Sequence, residues 1–117
     1  MKKRTSIRIS EELFNKIFKI HNTSEKTFIL QNLIDRVDFN DIANNLDFIK
    51  FYENELKIEK EEKKYKTVDF FIYKIDYDEL KENNIPIKKA IIYGFYRKIN
   101  PKKENKLKKF FMSLIHK

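Results

Sequence analysis

Residues 3–10 read KRTSIRIS, and their alternation decides the start of the fold. Thr5, Ile7 and Ile9 fall on one face, and Arg4, Ser6 and Arg8 on the other. A period of two over this length predicts a half-buried strand over residues 3–9. The period then changes. Ser10 suits a helix N-cap, and Glu11 and Glu12 suit a first turn, where carboxylates meet the positive end of the helix. Leu13, Ile17 and Ile20 recur at helical spacing, with Phe14 and Phe18 beside them. The helix is expected to stop near His21-Asn22, because Asn tolerates the left-handed conformation.

Thr23 or Ser24 opens a second helix, with Glu25 early in it. Its broad apolar face comprises Phe28, Ile29, Leu30, Leu33, Ile34 and Val37. Beyond Asp38, Ile42, Leu46, Ile49 and Leu56 recur three, four or seven residues apart and predict a third helix. It runs into the charged stretch 57–66, KIEKEEKKYK, which reads as a solvated helix end or a linker. Thr67–Ile75, TVDFFIYKI, has strong strand propensity. Asp76 is placed to cap a short helix around Tyr77–Asn83, and Pro86 suits the first turn of a helix running to about Ile99. A final helix, 101–116, follows Asn100-Pro101, with Leu107, Phe110, Phe111, Leu114 and Ile115 on one stripe.

The run of strand, helix, turn and helix over residues 3–37 resembles the ribbon-helix-helix family of DNA-binding proteins. The resemblance rests on RTSIRIS for the ribbon, EELFNKIFKI for the first helix, and NTSEKTFILQNLIDRV for the turn and second helix. It covers about a third of the chain, and the pattern is short and degenerate. Asn22 stands where the family usually has Gly. The resemblance implies that two units pair their strands into an antiparallel ribbon narrow enough for the major groove. Arg4, Ser6 and Arg8 would then face base edges. Lys2, Lys3 and Lys26 would meet phosphates, as would Thr23 and Ser24 at the start of the second helix. The expected partner is double-stranded DNA, bound without cofactor or metal by a homodimer or an intramolecular pseudo-dimer.

The order strand, short helix, helix recurs in residues 67–99. One alignment of this degenerate second copy matches Ile75 with Ile9, Asp76 with Ser10 and Lys74 with Arg8. Phe70 and Ile72 then fall where Arg4 and Ser6 stood. The other reading is an unrelated strand in a C-terminal module. The expected fold is therefore α+β and mostly helical, with ribbon-helix-helix module(s) and additional helices. Its divisions are 1–38, a long helix or linker at 39–66, and a second module at 67–117.

Composition narrows the function. The 117 residues contain no Cys, one Gly and two His at opposite ends, which excludes disulfides, thiolate metal sites and glycine-rich phosphate loops. No apolar run approaches the ~20 residues of a membrane span. The segment MKKRTSIRIS lacks the apolar core of a secretory signal, so a cytoplasmic, nucleoid-associated protein is expected. Abundant Lys, Ile, Asn, Phe and Tyr suggest A/T-rich codons, which discounts raw lysine counts. The segregation of charge survives that discount. Residues 1–8 carry +4, residues 9–83 carry −5 and residues 84–117 carry +9, which sums to the net +8. Two basic ends suggest a polyanionic partner.

Lys102, Lys103, Lys106 and Lys109 lie largely off the apolar stripe of the last helix and form a secondary basic surface or a protein-binding face. The aromatics Phe70, Phe71 and Tyr73, then Tyr93, Phe95 and Tyr96, read as core or as stacking platforms for single-stranded nucleic acid. Lys74, Lys88, Lys89, Arg97 and Lys98 lie near them. No nucleophile with a positioned base is visible, so an enzyme is not expected. The sequence reads as a transcriptional repressor, an antitoxin-like autoregulator or a plasmid-maintenance factor. The alternative is a phage- or plasmid-encoded protein-interaction module acting on a host nucleic-acid machine.

Overall fold

A computed structural model describes residues 1–19 and 25–101. Its element order is β1 (Lys2–Ser10), α1 (Glu11–Lys19), α2 (Lys26–Ile34), α3 (Phe39–Asn44), α4 (Leu46–Glu62), β2 (Tyr65–Tyr73), α5 (Lys74–Glu82) and α6 (Ile87–Ile99). The fold is α+β and mostly helical, with one two-stranded antiparallel sheet. The expected helix end at His21-Asn22, Thr23, Ser24 and the final helix lie outside the described residues. Among the described residues no helix is long and apolar enough to cross a membrane.

The sheet pairs the start of the chain with the strand that follows α4. Lys2 lies opposite Tyr73, Ser6 opposite Asp69, and Ser10 opposite Tyr65. Thr5, Ile7 and Ile9 turn inward, as do Val68, Phe70 and Ile72 of β2. The order strand-helix-helix occurs once from β1 and again from β2, with α3 and α4 inserted between the two units.

Local chemistry sets most boundaries. The Leu13 N–H donates to Ser10 Oγ at 3.0 Å, so Ser10 caps α1 as its position suggested. Asp38 accepts from the Asp41 N–H at the start of α3. Asn45 then breaks the helix expected from the spacing of Ile42, Leu46, Ile49 and Leu56. Its side chain accepts the Phe48 N–H at 3.1 Å and starts α4 afresh. The new phase turns Phe48 into the core and leaves Leu46 71% exposed. Residues 57–62 continue α4, and Lys63, at φ 54°, ends it.

The second strand runs Tyr65–Tyr73, two residues earlier than expected at each end. Its helix α5 begins at Lys74, so Asp76 lies inside the first turn and is not its cap. The end of α5 is sharply defined. Asn84 is left-handed, its N–H donates to the Lys81 carbonyl, and the Ile85 N–H reaches back to the Leu80 carbonyl. Pro86 follows and α6 runs to Ile99, as its position suggested.

One hydrophobic core is shared by both units and the insert. It holds Ile7, Ile9, Leu13 and Ile17 beside Leu30, Leu33, Phe48, Val68, Phe70, Ile72 and the centre of α6. Helix α6 lies against α2, α4, α5 and β1, and Ala90–Tyr96 are all buried. A helix enclosed on every side reads as apolar all round, which is what AIIYGFY does. Gly94 sits where α6 crosses α2. A Cβ there would lie 2.6 Å from the Leu33 carbonyl carbon and 2.7 Å from its Cα, so no larger residue fits without moving backbone.

Candidate nucleic-acid interface

The outward face of the ribbon gathers side chains from β1 and β2, which are far apart in sequence. Side chains alternate across a strand and directly opposed residues share a face. Lys2, Arg4, Ser6 and Arg8 of β1 therefore stand beside Tyr73, Phe71, Asp69 and Thr67 of β2, and all eight are exposed. From Lys2 to Arg8 the face runs roughly 20 Å, at ~3.4 Å per residue.

The face has two unlike ends. At one, Lys2 Nζ lies 5.2 Å from the Tyr73 ring centroid, and Arg4 stands opposite Phe71. At the other, the Arg8 guanidinium stacks 4.2 Å over the Tyr65 ring, with Thr67 opposite. Between them Arg4 Nη2 approaches Asp69 Oδ2 at 3.8 Å. Both partners of that pair are exposed, so it is worth under about 1 kcal/mol and leaves Arg4 free to turn toward a ligand.

The edge of β2 is sealed by α2. The Phe71 N–H donates to Thr27 Oγ1 at 3.3 Å, and the Tyr73 N–H donates to Gln31 Oε1 at 3.1 Å. Gln31 is held in turn by donating to Asp35 and Asp76, each at 2.8 Å. These bonds fix the strand that presents Phe71 and Tyr73 and close an edge on which another strand could pair.

The expected contact residues separate. Arg4, Ser6 and Arg8 share one exposed face, joined by Lys2. Lys3 points the other way, with its ammonium 4.0 Å over the Tyr77 ring of α5. Lys26 opens α2 and lies 5.4 Å from the Phe14 ring. Glu25 occupies the N-cap of α2. Thr23 and Ser24 lie outside the described residues, as do Lys102, Lys103, Lys106 and Lys109.

The second-copy alignment is corrected by the register. Ile72, not Ile75, takes the place corresponding to Ile9. Ile75 is in α5 and 69% exposed, and Lys74 has left the strand. Phe70 and Ile72 are inward residues, and Thr67, Asp69 and Phe71 hold the outward positions.

The aromatic clusters also divide. Tyr93, Phe95 and Tyr96 are buried, whereas Phe71 and Tyr73 are 48% and 45% exposed. The cations near the second cluster are occupied within the fold. Lys88 Nζ pairs with Glu59 at 2.6 Å, Lys89 lies over Tyr52, and Arg97 binds Asp41 and Tyr93. Burial and the hydrogen bond to Asp41 push the Tyr93 hydroxyl up to about 12, so it remains a donor.

The chain matches no protein-family model, no curated protein and no solved structure. The reading of the site rests on its own geometry. Sequence reasoning left Phe71 and Tyr73 unseparated from Phe70, and passed over Thr67 and Tyr65. The signal was the alternation of TVDFFIY, whose polar members Thr67 and Asp69 set the outward phase. What the face can do follows from its groups: guanidinium forks pair with base edges, hydroxyls donate or accept, and exposed rings offer apolar contact or stacking.

Proposed function

We propose that this protein binds double-stranded DNA sequence-specifically by placing its ribbon in the major groove, with two ribbon-helix-helix units in one chain. The observation that carries the reading is the exposed row Lys2, Arg4, Ser6 and Arg8 on a ribbon completed by β2 of the same chain. A two-stranded ribbon fits the ~12 Å width of the groove, and a 20 Å face spans about six base pairs. Arg4 and Arg8 supply bidentate contacts to guanine, while Lys2 and Lys26 supply attraction to phosphates. No cofactor enters. A repressor, an antitoxin-like autoregulator or a plasmid-maintenance factor would use such a module.

Arg8→Ala tests the reading directly. Arg8 is exposed and touches only the Tyr65 ring among the ring and ion-pair contacts above, so the fold should survive. Affinity for a selected duplex should fall roughly tenfold to a hundredfold, with a smaller change on random duplex. Fluorescence anisotropy measures both, and unchanged affinity for the selected duplex would refute the assignment.

The exposure of Phe71 and Tyr73 favours a second reading, in which unpaired bases stack on these rings. Stronger binding of single strands than of any selected duplex would establish it in place of the first.

A further inference from the structure

We propose that the ribbon reads a non-palindromic duplex as a single chain, with Arg8 pairing to a guanine in one arm and Phe71 packing on a thymine methyl in the other. This rests on the DNA-binding reading above and concerns which sequences the site accepts.

The argument starts from the register. An antiparallel pair has a local two-fold axis between opposed residues. Here the axis through the Ser6–Asp69 pair carries β1 onto β2 from end to end: Lys2 falls on Tyr65, Ser10 on Tyr73, and the start of α1 on the start of α5. The inward residues obey it chemically, since Ile7 falls on Phe70 and Ile9 on Ile72, all buried. The outward residues break it at every position. Arg4 falls on Thr67, Ser6 on Asp69, and Arg8 on Phe71.

A palindrome offers the same base edges at the two positions related by that axis. Arg8 needs the acceptors of guanine O6 and N7, whereas Phe71 has no hydrogen-bonding group and gains only from an apolar partner. The thymine C5-methyl is the apolar group in the major groove. One base identity cannot satisfy both. Asp69, the acid among the eight exposed residues of the face, makes the same demand at the centre. It accepts from cytosine N4 and is repelled by acceptor-only edges, while Ser6 across from it takes either. Phe71 is also held in place, because its backbone N–H is fixed by Thr27.

The test is selection from a randomised duplex pool with the full-length protein, followed by light scattering of the selected complex. The expected result is a motif without two-fold symmetry and one chain per duplex. Each thymine of the best duplex is then replaced in turn by deoxyuridine, which removes only the methyl. Wild-type affinity should fall about fourfold at one thymine in the arm away from the Arg8-dependent guanine. Phe71→Ala should lose that sensitivity, and Arg8→Ala should keep it. A palindromic motif bound by two chains, or no thymine whose methyl matters, would overturn the inference and leave DNA binding standing. No enrichment of any duplex would overturn both.

Discussion

In the first unit, α1 starts behind the Ser10 hydroxyl and buries Leu13 and Ile17; in the second, α5 starts behind Tyr73 with no side-chain cap and buries Leu80. The contrast reverses in the following helices. Helix α2 buries Ile29, Leu30, Leu33 and Ile34 on one side, whereas α6 is buried along seven consecutive residues. The cause is the insert. Phe48 of α4 packs edge-on to Tyr93, and Phe51 packs on Phe95 and Tyr96, so α6 is covered on a side that α2 does not have covered in this way. One unit therefore displays cations on the ribbon while the other supplies the centre of the core. Two units freed from the requirement of identity can divide display and support between them.

Besides the shared ribbon, the units meet at the α2–α6 crossing, and Gly94→Ala attacks it. The added methyl meets Leu33 backbone, which cannot turn away as a side chain would. Overpacking typically costs about 1–3 kcal/mol, and a backbone clash belongs at or above the top of that range. Urea unfolding should show a loss of about 3 kcal/mol or more. A loss below 1 kcal/mol would mean that the two units do not approach as closely as described.

How much of this was legible follows from which residues carry local signals. The alternation of Thr5–Ile9, the cap at Ser10 and the start of α6 after Pro86 depend on neighbours in sequence, and each could be read there. The break at Asn45 could not, because Ile42, Leu46, Ile49 and Leu56 keep helical spacing while the cap changes the phase. The start of α5 was hidden for a similar reason: Asp76 looks like a cap, yet Lys74 follows the ribbon directly and its N–H donates to the Met1 carbonyl. That error displaced the second-copy alignment by three residues and concealed Phe71. Arg4, Ser6 and Arg8 were recognisable as one face from alternation alone, but their neighbours across the ribbon depend on a pairing some 60 residues away in sequence.

Asp41 joins the insert to the second unit. It accepts from Tyr93 Oη at 2.6 Å and pairs with Arg97, and both side chains are mostly buried. Burial alone would push its carboxyl up, but hydrogen bonds from Tyr93, Arg97 and Asn45 outweigh this and hold it below 3.8. Asp41→Asn keeps the shape and strands the guanidinium, so a loss of about 2 kcal/mol is expected, less than for a fully buried pair. A depressed folded value means that this stabilisation is complete above the unfolded carboxylate value and disappears as pH falls through the folded one. The gap between wild type and variant should therefore be constant near neutrality and close only in acid below 3.8. A gap that widened in acid would contradict the pairing.

Glu55 faces the first unit from α4, and here the sign is opposite. Its side chain is buried, and among the described residues its Oε2 has no hydrogen-bond partner. Burial raises its pKa above 4.5; Lys16 opposes the rise, while Glu12, Glu59 and Glu62 add to it. The folded protein thus resists an ionisation that the unfolded chain undergoes freely, and stability falls as pH rises from 4.5 toward the higher folded value. Glu55→Gln removes that charge and keeps the volume. It should stabilise by about 1 kcal/mol near neutral pH, on the scale of one unpaired buried polar atom. The gain should shrink as pH falls toward 4.5 and vanish below it, where both states of the wild type are largely protonated. Thermal melts of wild type and variant across this interval measure the difference. Destabilisation at neutral pH would show that the carboxylate is a wanted contact between α4 and the first unit, and would shift the weight of the insert from the second unit to both.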